Sequence, residues 1–172
     1  MRYFLKRTLA YFIDVTLCYT ILILVLQWAI LGTLRTRLGL ADTWFENSLN
    51  MELYVLSTIS LPVWFYFTYF DSNRAKGTLG KRLFRLSVQN PENQRISPGK
   101  SFLRTFLKLL PWEIAHLGVI FPTPLYFEDE PGLRILTLAG MVLFVSYMIS
   151  ILADPKRRSL YDRLLKTQVN ES

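Results

Sequence analysis

Along most of the chain, apolar residues gather into blocks instead of alternating with polar ones. Three blocks, Leu9 to Leu31, Met51 to Phe70 and Leu133 to Ala153, are each close to the roughly 20 residues a helix needs to cross a hydrocarbon core about 30 Å thick. A fourth, Phe102 to Phe121, is interrupted by charges. In it Ser101, Arg104, Thr105 and Lys108 recur at the spacing of one helical face, opposite Phe102, Phe106, Leu109 and Leu110, which predicts a basic amphipathic helix lying against a membrane surface. Ser97 as N-cap and Pro98 at the first helical position give it a start. Pro111 lacks a backbone donor and predicts a kink or an end, leaving Trp112 to Phe121 too short to cross alone. Leu83 to Val88 alternates apolar and polar residues, and Asn90 to Asn93 turns the chain toward Arg95 and Ile96, which predicts a short hairpin or loop between the second and fourth blocks.

Composition sharpens this picture. The 172 residues leave room for one domain covering 1–172, and 51% hydrophobic residues is more than a soluble domain of this size usually carries. The first block follows Arg2, Lys6 and Arg7 as a secretory signal would, but it is longer than a signal core and lacks a small-residue cleavage site after Leu31, so a retained helix is expected. Cys18 stands alone, which excludes a disulfide framework within one chain. No cofactor motif is recognisable, and the metal content is open.

A net charge of +7 would point to nucleic acid in a soluble chain. Here the cations flank apolar blocks, which is the positive-inside pattern and makes the bilayer, not nucleic acid, the expected partner. Arg74, Lys76, Lys81, Arg82, Arg85, Arg95 and Lys100 outnumber Asp71 and Glu92 in one loop, which is therefore expected in the cytoplasm together with the amino terminus. The stretch 32–50 balances its charges and reads as external. If the fourth block only re-enters, there are three crossings and the tail with Lys156, Arg157, Arg158, Arg163 and Lys166 lies outside. If it crosses, with Arg104 and Lys108 snorkelling to the cytoplasmic face, the acidic loop Glu128, Asp129 and Glu130 is external and the basic tail internal. The second topology obeys the charge rule and is adopted: an all-α membrane protein, a bundle of about four transmembrane helices (9–31, 51–70, 102–121 broken at Pro111, 133–153) with a short cytoplasmic β-hairpin or loop and both termini in the cytoplasm.

Candidate chemistry lies in the charges that interrupt the blocks. Arg7 and Asp14 share a helix face about two turns apart, and Asp14 lies about 9 Å into the apolar helix that begins at Leu9, at 1.5 Å per residue. A carboxylate there either binds a cation or proton or is pinned by an arginine from another span or from the loop. Glu113 and His116 form an E-x-x-H pair at helical neighbour spacing, about 15 Å deep if the helix enters near Leu103. They could relay protons or bind metal, or be a buried hydrogen-bonded pair. A di-metal bundle site needs two such pairs, and there is one. The run Ala75 to Arg82 lacks the first Gly and the final Ser or Thr of a phosphate loop, so its basic face is read as a contact for anionic lipid headgroups. Asp154 and Asp162 sit among five basic residues in the tail, which points to specific pairing. One histidine and no recognisable Ser/His/Asp set argue against an enzyme.

These residues resemble the RDD family of small membrane proteins, named for one arginine and two aspartates. Arg7 to Asp14 looks like the family's first helix. Gly77 to Val88, with Gly77, Thr78, Gly80, Lys81 and Arg82, is similar to its signature loop. The tail Arg158 to Asp162, with Asp154 upstream, is similar to its final aspartate motif, although Tyr161 stands where a histidine is usual and Leu165 and Lys166 replace the usual Ala-Gly before Thr167. The resemblance implies a membrane protein, with cation/proton antiport suggested for some members and accessory roles in membrane complexes for others. Two expectations follow: a cation or proton transporter of the plasma membrane using Asp14 and Glu113, tuned by Arg7 and His116, or a non-transporting scaffold in which the same charges lock helices together. A homo-oligomer or a membrane-protein partner is expected in either case, with anionic lipid at the basic loop and tail.

Overall fold

A computed structural model describes residues 2–39, 41–129 and 132–171, Arg2 in its backbone only; Glu130 of the acidic loop therefore lies outside the described residues. The architecture is four long helices with a small basic base of two short helices and two strands at one end. Helix α1 (Tyr3–Leu38), α2 (Ser48–Asp71) and α5 (Ile135–Ala153) are each long and apolar enough to cross a bilayer. Short α3 (Leu79–Leu83) and strand β1 (Leu86–Gln89) follow α2. Helix α4 (Pro98–Ile120) precedes α5, and α6 (Leu160–Leu164) and β2 (Gln168–Glu171) close the chain.

The first helix exceeds its predicted span. Its 36 residues, at no more than 1.5 Å each, reach at most about 54 Å, because Gly32 stays right-handed at φ −60° and the helix ends only at Gly39, in the left-handed region at φ 65°. Both α1 and α2 contain π-helical turns, Ile21–Gly32 and Leu56–Ser60, and these segments pack on one another. There the Gln27 side-chain amide donates to the Thr58 hydroxyl at 2.9 Å. Asn47 caps α2 by accepting from the backbone of Leu49 and Asn50. Many large side chains face outward, Trp28 at 77%, Phe65 at 72% and Ile135 at 82% exposure. That is expected of surfaces that meet hydrocarbon and costly for surfaces that meet water.

Two expectations about α4 are corrected. Ser97 and Pro98 do start it, but the helix runs through Pro111 to Ile120 instead of breaking there. Neighbours compensate for what proline removes: the Tyr147 hydroxyl donates to the Leu107 carbonyl at 2.9 Å, the acceptor whose partner four residues on would have been the absent N–H of Pro111. Gly140 lets α5 approach at this point, since a Cβ there would lie 2.5 Å from the Pro111 carbonyl oxygen. The second correction concerns the face. Ser101, Arg104 and Thr105 are almost fully buried while Phe102, Leu103 and Phe106 are exposed. The polar stripe turns inward because Arg104 finds its carboxylate partners, Asp71 and Asp162, inside the protein.

The predicted hairpin is also revised. The turn Asn90 to Gln94 forms and Gln89 bridges to Arg95, but β1 pairs along its length, antiparallel, with the carboxy-terminal β2, Leu86 opposite Glu171 and Gln89 opposite Gln168. Ile96 drops into the core and Ser97 already caps α4, so no second strand can grow there. Ala10, Leu86, Val88, Ile96 and Val169 form a small core joining the sheet to α1. Cys18, Ile59, Val63, Phe67 and Leu109 form a second between α1, α2 and α4.

Candidate functional site

The signature loop is a docking device. Asp14, fully buried, accepts from the Thr78 hydroxyl at 2.6 Å, the Gly80 backbone N–H at 2.8 Å and the Tyr66 hydroxyl at 2.8 Å. Gly77 sits at φ 111°, where side chains are disfavoured. Gly80 touches α1 so closely that a Cβ would fall 2.1 Å from the Ala10 carbonyl oxygen. Asp14 therefore accepts at the first turn of α3, and the loop gives it one hydroxyl and one backbone N–H, not an arginine. Arg82 is exposed on the outer side of the same turn.

Beneath the loop runs a chain of buried ion pairs. Lys81 donates to Asp71 at 2.7 Å, Arg104 to Asp71 at 3.1 Å and to Asp162 at 2.8 Å. Arg7 pairs with the other oxygen of Asp162 and also donates to the Arg157 carbonyl at 3.0 Å. Ser159 and Thr167 hydroxyls complete Asp162 at 2.9 and 3.0 Å. Burial opposes the charge of Asp162, but Arg104 and Arg7 outweigh it and hold the carboxyl below the usual carboxylate range. Arg7 thus meets an aspartate 155 residues away, not Asp14 on its own helix. The Tyr161 hydroxyl accepts from Arg7 at 3.4 Å and its ring faces Arg104 at 5.3 Å. Asp154 and Arg158 form a separate local pair at 3.1 Å that turns the chain after α5.

Arg104 is the hub, 1% exposed, and it joins the end of α2 to α6. Sequence reasoning placed it at a headgroup and Asp71 in a loop; their signal was the position of each as a charge bordering or interrupting an apolar block. Lys108, one turn further along α4, has its ammonium buried with no hydrogen-bond partner among the described residues. It lies 3.1 Å from the centre of the Phe67 ring, a cation–π contact.

Glu113 and His116 are not hydrogen-bonded to each other among the described residues. Glu113 accepts from the Ser60 hydroxyl at 3.0 Å and the Trp64 indole N–H at 2.9 Å, both on α2. His116 lies edge-on to Trp112 at 5.1 Å, and its Nδ1 is buried without a hydrogen-bond partner among the described residues. Glu113 is thus a half-buried carboxylate held by two neutral donors, with no ion pair among the described residues. No group of three His, Cys, Asp or Glu side chains suited to a metal ion occurs among the described residues.

A family model described as the RDD family matches residues 2–166. An uncharacterized protein, YxaI, of Bacillus subtilis (strain 168) is 27% identical over 135 residues, covering 74% of this chain and 87% of its own. No solved structure matches.

Proposed function

The chain belongs to the RDD family, and from that premise we propose a multi-pass protein of the plasma membrane that moves protons or small cations, with Glu113 as the carrier group and His116 beside it. The observation that supports this reading is the contrast between carboxylates. Asp14, Asp71 and Asp162 are each saturated by the chain's own donors. Among the described residues Glu113 keeps only two neutral donors, so a cation or proton can bind it without dismantling an ion pair. It faces the π-helical turn of α2, a distortion frequent at functional sites.

In this reading α4 is a fourth crossing, its charged base at the cytoplasmic side with both termini, the basic loop and the tail, whose exposed cations meet anionic headgroups. Arg7 and Asp14 become structural locks. Four crossings make a narrow pathway, so two copies or a membrane partner complete it. The second reading, a non-transporting scaffold, is supported by the same locks, which give the base one rigid arrangement.

Ion flux in proteoliposomes separates the two. Glu113→Gln is expected to abolish proton-coupled cation movement while the protein stays folded, and Asp14→Asn to lower thermal stability first. Wild-type protein that moves no proton, Na⁺, K⁺ or Li⁺ in a competent assay, yet purifies with a stoichiometric membrane partner, would establish the scaffold instead.

A further inference from the structure

We infer that the cleft between α1 and α5 is a binding site for one anionic phospholipid, whose phosphate completes the buried charge cluster. The cleft has a volume of about 80 Å³, enough for a phosphate group but not for acyl chains. Its inner wall carries Arg7, Lys81, Arg104 and Lys108, and no carboxylate lines it among the described residues. Behind that wall stand three carboxylates, Asp14, Asp71 and Asp162, so the four cations exceed their buried counter-charges by one.

The excess has a location. Arg7, Lys81 and Arg104 are engaged with Asp162 and Asp71, whereas among the described residues the Lys108 ammonium has only the Phe67 and Tyr11 rings. A buried cation without an anion is unstable, and an anionic oxygen in the cleft supplies a charge-assisted partner. The outer wall is apolar. Phe12 of α1 and Phe144 of α5 flank the mouth and are 55% and 41% exposed, which places them against lipid. Chains leaving the phosphate would lie along these outward faces, where Leu9, Met141 and Val145 are also exposed. An anionic head next to apolar walls is the chemistry of a phospholipid, and basic pockets between spanning helices are sites for such heads. Lys81 of the loop and Tyr161 of the tail line this site, but it is distinct from the exposed cations of those segments and does not depend on transport.

The test uses full-length protein in mild detergent, with phosphatidylglycerol, phosphatidylcholine or inorganic phosphate added, read by native mass spectrometry and thermal unfolding. One phosphatidylglycerol is expected to stay on each chain and raise the unfolding temperature. Lys108→Gln should weaken retention at least tenfold, Met148→Trp, on the α5 wall of the cleft, should block it by filling that apolar wall, and Arg37→Gln, exposed near the other end of α1, should leave it unchanged. Equal retention of phosphatidylcholine, equal stabilisation by inorganic phosphate alone, or loss in Arg37→Gln comparable to that in Met148→Trp would each overturn the assignment. The comparison of the two lipids on unaltered protein decides the matter even if a variant fails to fold.

Discussion

The Tyr147 hydroxyl lies 2.9 Å from the Leu107 carbonyl, so a side chain on α5 supplies the hydrogen bond that Pro111 denies to α4. Removing that hydroxyl leaves an orphaned carbonyl, which typically costs about 1–3 kcal/mol where water cannot reach it. Tyr147→Phe is therefore expected to destabilise the protein by about that amount. Because Pro111→Ala restores an N–H to the helix, the two substitutions together should be less damaging than their sum. A double-mutant cycle by unfolding in detergent checks this coupling.

Gly80 carries α3 against α1, with its would-be Cβ 2.1 Å from the Ala10 carbonyl oxygen. Backbone cannot yield as a flexible side chain can. Gly80→Ala should destabilise by about 1–3 kcal/mol and detach the loop from Asp14, which amide hydrogen exchange at Gly80 and Leu79 would register as lost protection. A variant with unchanged exchange there would show that the contact does not hold the loop.

Arg104 reaches Asp71 and Asp162 with two different nitrogens, at 3.1 and 2.8 Å. A lysine has a single ammonium and cannot span both carboxylates in this geometry. Arg104→Lys is thus expected to lose one pair and destabilise by about 3–5 kcal/mol, the range for breaking a buried pair. Replacement of Asp162 by Asn should be similarly severe, and combining it with Arg104→Lys should add little, as befits one network.

Asp162 is held below the ordinary carboxylate range in the folded chain. Its contribution to stability is therefore complete above the unfolded value, about pH 4, and is lost as pH falls from there through the lower folded value. Stability attributable to this group should be flat from neutral pH to about 4 and decline below it. Asp162→Asn should remove that part of the acid decline, measurable as unfolding temperature against pH.

Much of the architecture was legible because bilayer crossing is a local property. Lengths of apolar sequence announced α1, α2 and α5, and Ser97 with Pro98 marked where α4 begins. The loop motif was legible as a unit, since Gly77, Thr78 and Gly80 stand close together. The hairpin was half legible: the Asn90 turn is local, whereas β2 comes from the opposite end of the chain, and four residues of alternation are too few to reveal a distant partner.

By itself, then, the sequence determined which segments can live in hydrocarbon, which turn is built for close approach and which charges are too deep to stand alone, since each follows from chain length or side-chain chemistry over a few residues. Only the tertiary structure decided who answers those charges. Arg7 could have met Asp14 seven residues away, but a helix spaces them two turns apart on one face, while α6 brings Asp162 into direct contact. The stripe of Arg104 and Lys108 could have faced headgroups. It faces inward because Asp71 and Asp162 converge there from separate elements, and pairing across a folded chain has no fixed spacing for a sequence to display.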